Sequence, residues 1–155
     1  MLKYLDYATV FAEVPDEITL ALEVTNCPFK CKNCHSPELR ENIGVELTED
    51  ELRKILNKTH GISCICFMGG DANKEDVERL SDFVRNKLHL KAAMYSGSPD
   101  YDTDLALHLD YYKVGPYLEE YGPLNNPHTN QKMYRLVGGV PEDITYRFWP
   151  RKVGA

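Results

Sequence analysis

Apolar positions along this chain change their period several times, and the changes outline its elements. Leu2 to Phe11 is rich in aromatic and β-branched residues without a clean period, and is expected to form a strand or an ordered arm. Pro15-Asp16 marks a turn, after which Ile18 to Val24 is a short, mostly apolar run of the length a buried strand uses. A helix is expected from Thr48: threonine is a good N-cap, Glu51 stands at the reciprocal capping-box position, and Leu47 with Leu52 can close a hydrophobic staple. That helix runs to about Lys58, with Leu52, Ile55, Leu56 and Thr59 on one face and Gly61 as its stop. Ile62 to Met68, which holds Cys64 and Cys66, then reads as a buried strand bounded by Gly69-Gly70.

Beyond the glycine pair, Val77, Leu80, Phe83, Val84 and Leu88 fall on one face of a helix expected over Glu75 to His89, with the charges of Asn73 to Arg79 on its solvated side. Lys91 to Tyr95 is a third strand ended by Ser96-Gly97-Ser98-Pro99; a short helix around Asp104 to Leu109 leads to a fourth strand, Tyr111 to Val114. Strand and helix thus alternate, which predicts an α/β fold of βα units in a mostly parallel, curved sheet that does not close. Gly115 to Gln131 breaks the rhythm with three prolines and no apolar period, and a loop of that length in a compact domain is expected to be functional. Met133 to Val137, Gly138-Gly139 and Ile144 to Phe148 are expected to finish the chain as a pair of strands.

With 155 residues, the chain is expected to be one domain over 1–155 with a real core. A formal charge of -6, from 24 acidic and 18 basic residues, argues against nucleic acid or an anionic membrane as the main partner, because no excess cation is present to neutralise phosphates. No apolar run approaches the roughly 20 residues that span a bilayer, and Lys3, Asp6 and Glu13 spoil a signal-peptide profile, so the expected location is the cytoplasm. Five cysteines, three of them clustered, suit a reducing compartment better than a disulfide framework.

The cluster is Cys27-Pro28-Phe29-Lys30-Cys31-Lys32-Asn33-Cys34-His35, with C-x3-C-x2-C spacing at the C-terminal end of the expected Ile18 to Val24 strand. Three thiolates from one loop can occupy three corners of a four-iron cluster and leave the fourth iron open to a ligand. Zinc is the competing occupant, with His35 or Cys64 completing a closed set in a structural or electron-transfer module. Cys64 and Cys66 point to one face of their strand and read as sheet core, while His35 reads as a neighbour of the bound ligand or a turn cap. His60, His89, His108 and His128 show no partner pattern. Two glycines in Gly69-Gly70-Asp71 let backbone approach a ligand, and Asp71 can accept from an amine; the plain alternative is a strand-to-helix turn with Asp71 or Asn73 as N-cap. The cysteine loop, Gly69-Gly70-Asp71 and Ser96-Gly97 all follow strand C-termini, the edge where open α/β sheets bind ligands.

Taken together, these motifs resemble the radical S-adenosylmethionine superfamily. The chain's length, with Met94 to Gly97, Tyr112 to Tyr117 and Thr129-Asn130-Gln131, is similar to the anaerobic ribonucleoside-triphosphate reductase-activating group of glycyl-radical enzyme activases, over about Ile18 to Leu136. The resemblance implies a partial, open βα barrel with a 4Fe-4S cluster on Cys27, Cys31 and Cys34. It further implies S-adenosylmethionine on the open iron beside Asn33, Cys34 and His35, its amino group received by Gly69, Gly70 and Asp71. The implied reaction is reductive cleavage of S-adenosylmethionine to methionine and a 5′-deoxyadenosyl radical, which takes a hydrogen from a glycine of the reductase; an electron donor such as flavodoxin is implied as a second partner. A different glycyl-radical enzyme or a small molecule is the alternative target. The chain departs from the superfamily at Asn33, where an aromatic residue is frequent, and at Asp71-Ala72, where an acid-proline pair is frequent.

Overall fold

The computed structural model describes residues 1–28 and 37–150. Among them lie strands β1 (Lys3–Val10), β2 (Thr19–Val24), β3 (Val45–Glu46), β4 (Cys64–Met68), β5 (Lys91–Tyr95), β6 (Tyr111–Val114), β7 (Lys132–Val137) and β8 (Val140–Asp143). The helices are α1 (Glu49–Asn57), α2 (Lys74–Asn86) and α3 (Thr103–Ala106). One sheet of eight strands runs in the order β3-β1-β2-β4-β5-β6-β7-β8.

The sheet is mixed rather than mostly parallel. Its central strands β2, β4, β5 and β6 are parallel neighbours, whereas β1, β3, β7 and β8 pair antiparallel at the flanks. Connection length accounts for the β1–β2 and β7–β8 pairs, since a parallel crossover needs about a dozen or more residues, which the helix-bearing links supply and these two links do not; the antiparallel β6–β7 pair is joined by the long, helix-free 115–131 loop. At the β7–β8 link, Gly138 and Gly139 both hold positive φ (57° and 80°), the geometry of a two-residue hairpin turn. The returning strand is therefore Val140–Asp143, and the expected strand over Ile144 to Phe148 is instead a 3-10 turn over Thr145–Phe148. Asp143 decides this locally, since its carboxylate accepts from the Thr145 N–H at 3.0 Å and hydroxyl at 2.6 Å and bends the chain out of the ladder.

The three helices pack on one face of the sheet. Leu52 and Ile55 of α1, Val77, Leu80, Phe83 and Val84 of α2, and Leu105 of α3 bury against Leu20, Leu22, Ile65, Phe67, Met94 and Tyr112. Thr48 caps α1 through its side chain, accepting from the Glu51 N–H at 3.1 Å, while the Glu51 carboxylate takes the Tyr4 hydroxyl at 2.7 Å and ties α1 to β1. Helix α2 ends at Asn86, short of the expected His89, which holds φ +55° while the Leu90 N–H returns to the Val84 carbonyl at 3.0 Å. His108, without a partner in the sequence pattern, joins α3's far side to α2 through Nδ1 and Asp82 Oδ1 at 2.7 Å.

Asp102 sets the start of α3, earlier than the expected Asp104. It accepts from the N–H groups of Asp104 and Leu105, both at 3.1 Å, and takes Lys74 Nζ at 3.1 Å. The Leu105 N–H foremost, with Lys74 and the Asp104 N–H, holds its carboxyl below the ordinary value. A lowered folded-state pKa adds stability that is present above the unfolded value, near about 4, and lost as pH falls through the folded one. Urea unfolding should therefore find Asp102→Asn less stable than the parent near neutrality, with the gap closing below about pH 4. A gap that persists unchanged at lower pH would put its origin elsewhere.

Candidate iron–sulfur site

Parallel register brings the ends of the central strands to one edge. Glu23 of β2, Met68 of β4, Tyr95 of β5 and Lys113 of β6 form one row across the sheet. Immediately above that row lie Gly69 and Ser96, with the Gly69 N–H on the Tyr95 carbonyl at 2.9 Å and the Ser96 N–H on the Lys113 carbonyl at 2.8 Å, and farther along their strands' continuations come Cys27 and Gly115. The three features that follow strand ends in the sequence thus do share an edge.

Cys27 sits at the foot of the cysteine loop and is half-buried. Its N–H donates to the Leu39 carbonyl at 2.8 Å, and the Asn26 N–H donates to the Glu41 carbonyl at 2.9 Å. Asn26 takes φ +61° to make this possible, a conformation asparagine tolerates better than most residues. These two bonds zip the ends of the loop, so the chain from Cys27 to Leu39 returns to its starting point. The expected ligands Cys31 and Cys34 and the neighbours Asn33 and His35 lie outside the described residues.

Gly69 and Gly70 follow β4, both with positive φ (115° and 110°). A Cβ on Gly69 would stand 3.3 Å from the Val24 carbonyl oxygen, so the glycine lets the β4 end lie close to the β2 end that launches the cysteine loop. A Cβ on Gly70 would point at the helix face, 2.6 Å from Val77 Cγ2. The Asp71 carboxylate accepts from the Ser96 hydroxyl and from the Gly97 N–H at 3.2 Å, which joins the turn after β4 to the turn after β5. A carboxylate has about four acceptor positions, so this arrangement leaves capacity for a further donor. Asn73 occupies the N-cap position of α2 without a side-chain cap bond.

The sheet face opposite the helices carries Cys64, Cys66, Ala93, Tyr111 and Met133, covered by Val14 and Ile144. Burial pushes the Cys66 thiol well up, with the Cys64 sulfur and Glu13 adding to it, and burial likewise raises Cys64, beside Glu17. Both are fully buried. Cys64 pairs with Thr19 and Lys91 at the opposite end of β4, about 13 Å along the strand from Met68. It therefore lies far from Cys27 and cannot complete a closed ligand set there. Iodoacetamide at pH 8 should leave Cys64 and Cys66 unmodified in the folded chain and label both in urea, read by peptide mass spectrometry. Labelling in the folded state would show that this face opens.

Two cavities on that second face escaped the sequence reading. One, of about 260 Å³, is lined by Asp6, Tyr7, Glu13, Ala21, Glu23 and Met68 and reaches Leu39, the residue bonded to Cys27. Its signal in the sequence was only a single acidic residue in each of β1 and β2, Asp6 and Glu23. The other, of about 560 Å³, lies between the 11–17 segment and the 115–131 loop, with Glu13 lining both. Lys113, 7% exposed, closes the row beside it, donating from Nζ to the carbonyls of Ser96 at 3.1 Å and Gly115 at 2.7 Å.

The sequence model of the 4Fe-4S single cluster domain family matches residues 18–103, from the foot of β2 to the start of α3. The chain belongs to the 4Fe-4S single cluster domain family. The matched span contains β2, the cysteine loop, the Gly69-Gly70 turn and the β5 end, so the family's sequence signal and the shared sheet edge coincide. A 4Fe-4S cluster is accordingly the group this chain binds. The donor set fits it: a soft thiolate at the edge, in a loop with zipped ends that carries two more cysteines. No curated protein and no solved structure gives a significant match to the chain. No helix among the described residues is long and apolar enough to cross a membrane.

Proposed function

We propose that this chain is a radical S-adenosylmethionine activase that installs a glycyl radical on an anaerobic ribonucleoside-triphosphate reductase. The observation that carries the reading is the meeting, at one sheet edge, of the zipped cysteine loop and the Gly69-Gly70-Asp71 turn, above a face with open cavities. Bound together, cluster and S-adenosylmethionine supply a one-electron reductive cleavage of the sulfonium, with methionine and 5′-deoxyadenosine as end products. Cys27, Cys31 and Cys34 would hold the cluster, and Asn33 and His35 would flank it.

The chain's own residues then have distinct tasks. Gly69 and Gly70 present backbone without side chains, and Asp71, anchored by Ser96 and Gly97, offers remaining acceptor capacity to an ammonium group. Asp6, Glu13 and Glu23 line the cavity that reaches the loop's foot, and carboxylates there suit a ligand carrying sulfonium and ammonium charges. Val10, Ala21 and Met68 give the same cavity an apolar wall that helps keep water from the reacting end. On this reading the mixed sheet is an open, partial βα barrel of the radical S-adenosylmethionine type, the reductase is the protein substrate, an electron donor such as flavodoxin reduces the cluster, and the setting is the cytoplasm.

Anaerobic reconstitution, reduction and addition of S-adenosylmethionine should yield 5′-deoxyadenosine, and electron paramagnetic resonance should then find a glycyl radical on the co-incubated reductase. A fully loaded, reduced protein that forms no 5′-deoxyadenosine would end the proposal. Cleavage without a radical on the reductase would redirect it to another target.

A further inference from the structure

Lys113 is buried on the sheet face opposite the helices, two residues after Tyr111 and on the same side of β6. Taking an ammonium out of water is costly, and an apolar side chain of similar volume fills such a place without that penalty. What the ammonium holds is therefore informative. Its Nζ stands 5.7 Å from the Tyr95 ring centroid and donates to the carbonyls of Ser96 at 3.1 Å and Gly115 at 2.7 Å.

Those carbonyls mark an irregular end of the β5–β6 ladder. Tyr95 lies opposite Lys113, and the Ser96 N–H donates to the Lys113 carbonyl at 2.8 Å. An uninterrupted parallel ladder would next place the Gly115 N–H on the Ser96 carbonyl. That N–H goes instead to the Ser98 carbonyl at 2.7 Å, with Gly115 at φ +107°. Ser96 is 1% exposed, so its carbonyl needs another donor, and the Lys113 ammonium is that donor. The turn displaced from the ladder is the one that reaches Asp71. The Ser96 hydroxyl and the Gly97 N–H, the latter at 3.2 Å, both donate to the Asp71 carboxylate, and the Ser98 N–H closes on Ser96 Oγ at 3.0 Å.

We propose that Lys113 is a positioning residue: by capping the Ser96 and Gly115 carbonyls it holds the 96–98 turn off the ladder, in the arrangement that aims the Asp71 carboxylate. Its consequence for ligand binding rests on the reading of Asp71 as the acceptor of the S-adenosylmethionine ammonium. Without Lys113, the Gly115 N–H recovers the Ser96 carbonyl, and the turn draws away from Asp71.

Two measurements on the anaerobically reconstituted, unreduced full chain test this. The first is hydrogen–deuterium exchange of the 96–98 amides by mass spectrometry, expected to quicken about tenfold in Lys113→Met as the Gly97 and Ser98 N–H groups lose their acceptors. The second is calorimetric titration with S-adenosylmethionine and with 5′-methylthioadenosine, which shares the nucleoside and lacks the ammonium and the sulfonium. Lys113→Met should weaken the first ligand about tenfold and the second less than about twofold, with iron, sulfide and circular dichroism as in the parent. In an Asp71→Asn background the same substitution should add less than about twofold, because the group it aims is already gone. Lys113→Gln, which keeps a shorter donor, should show the same pattern with smaller losses and serves if the Met variant does not fold. Unchanged exchange at 96–98, equal weakening of both ligands, or full additivity with Asp71→Asn would overturn the proposal and leave the activase reading standing. A parent that binds no S-adenosylmethionine would instead end the cofactor reading, and the exchange measurement would still decide whether Lys113 holds the turn.

Discussion

If Cys27, Cys31 and Cys34 hold the cluster as proposed, Cys27→Ala should strip it from the chain, with iron and sulfide after anaerobic reconstitution falling below about a tenth of the parent's, because a three-thiolate set cannot lose a corner and keep the cluster. The substitution leaves the loop's foot intact. The Cys27 backbone N–H still donates to the Leu39 carbonyl, and the Asn26–Glu41 bond is untouched, so the loss is of a ligand and not of the loop. A half-buried side chain of this size contributes little to packing, and the unfolding free energy of the cluster-free protein should change by no more than about 1 kcal/mol. Cys64→Ala is the companion: it should keep its iron and cost on the order of 1 kcal/mol or somewhat more in packing. Metal and sulfide analysis of the two variants separates the roles. Iron retained by Cys27→Ala, or lost equally from both, would contradict the assignment.

The second large effect is expected at Gly70. Its φ of +110° is one that residues with side chains rarely adopt, and an alanine Cβ would sit 2.6 Å from Cγ2 of Val77, which is fully buried in the first turn of α2. Backbone strain costs about 1–3 kcal/mol and overpacking about 1–3 kcal/mol. The sum, about 2–6 kcal/mol, is a large part of the roughly 5–15 kcal/mol that holds a domain together. Gly61→Ala supplies the contrast, since Gly61 also has positive φ, +70°, but nothing within 4 Å of its Cβ position. Only the left-handed penalty of about 1–2 kcal/mol applies there. Urea unfolding of both variants measures the difference, and Val77→Ala combined with Gly70→Ala should recover part of the loss by removing the struck methyl. Additive losses in the double variant would mean that the clash is not the cause.

Much of this architecture was legible before any coordinates. Runs such as Ile62 to Met68 and Lys91 to Tyr95 are mostly apolar because strands in the middle of the sheet are covered on both faces, and their ends fall within one or two residues of those expected. The Thr48 cap and the stripe of Leu52 and Ile55 made α1 readable for the same reason: local chemistry and burial agree there. The ends were less legible. Ile144 to Phe148 looks like a strand by composition, and only the hairpin at Gly138-Gly139 and the Asp143 side-chain bonds make it a 3-10 turn. The antiparallel β1–β2 and β7–β8 pairs likewise follow from short links, which strand patterns do not weigh.

The site divides along similar lines. The cysteine spacing and the glycine pair stand in the sequence because ligation and close backbone approach need particular residue types at particular intervals. The amino-acid order by itself therefore determined the chemistry on offer, soft thiolates in one loop and a side-chain-free turn after a later strand, and the alternation that makes a parallel centre. Only the tertiary structure decided what those groups meet. It set Cys64 far down β4 from Cys27, joined Asp71 to Ser96 and Gly97, laid Val14 over the second sheet face, and opened a cleft between the 11–17 segment and the 115–131 loop. Those meetings depend on register between strands distant in sequence, and register is fixed by the summed packing of both sheet faces, which no local pattern carries.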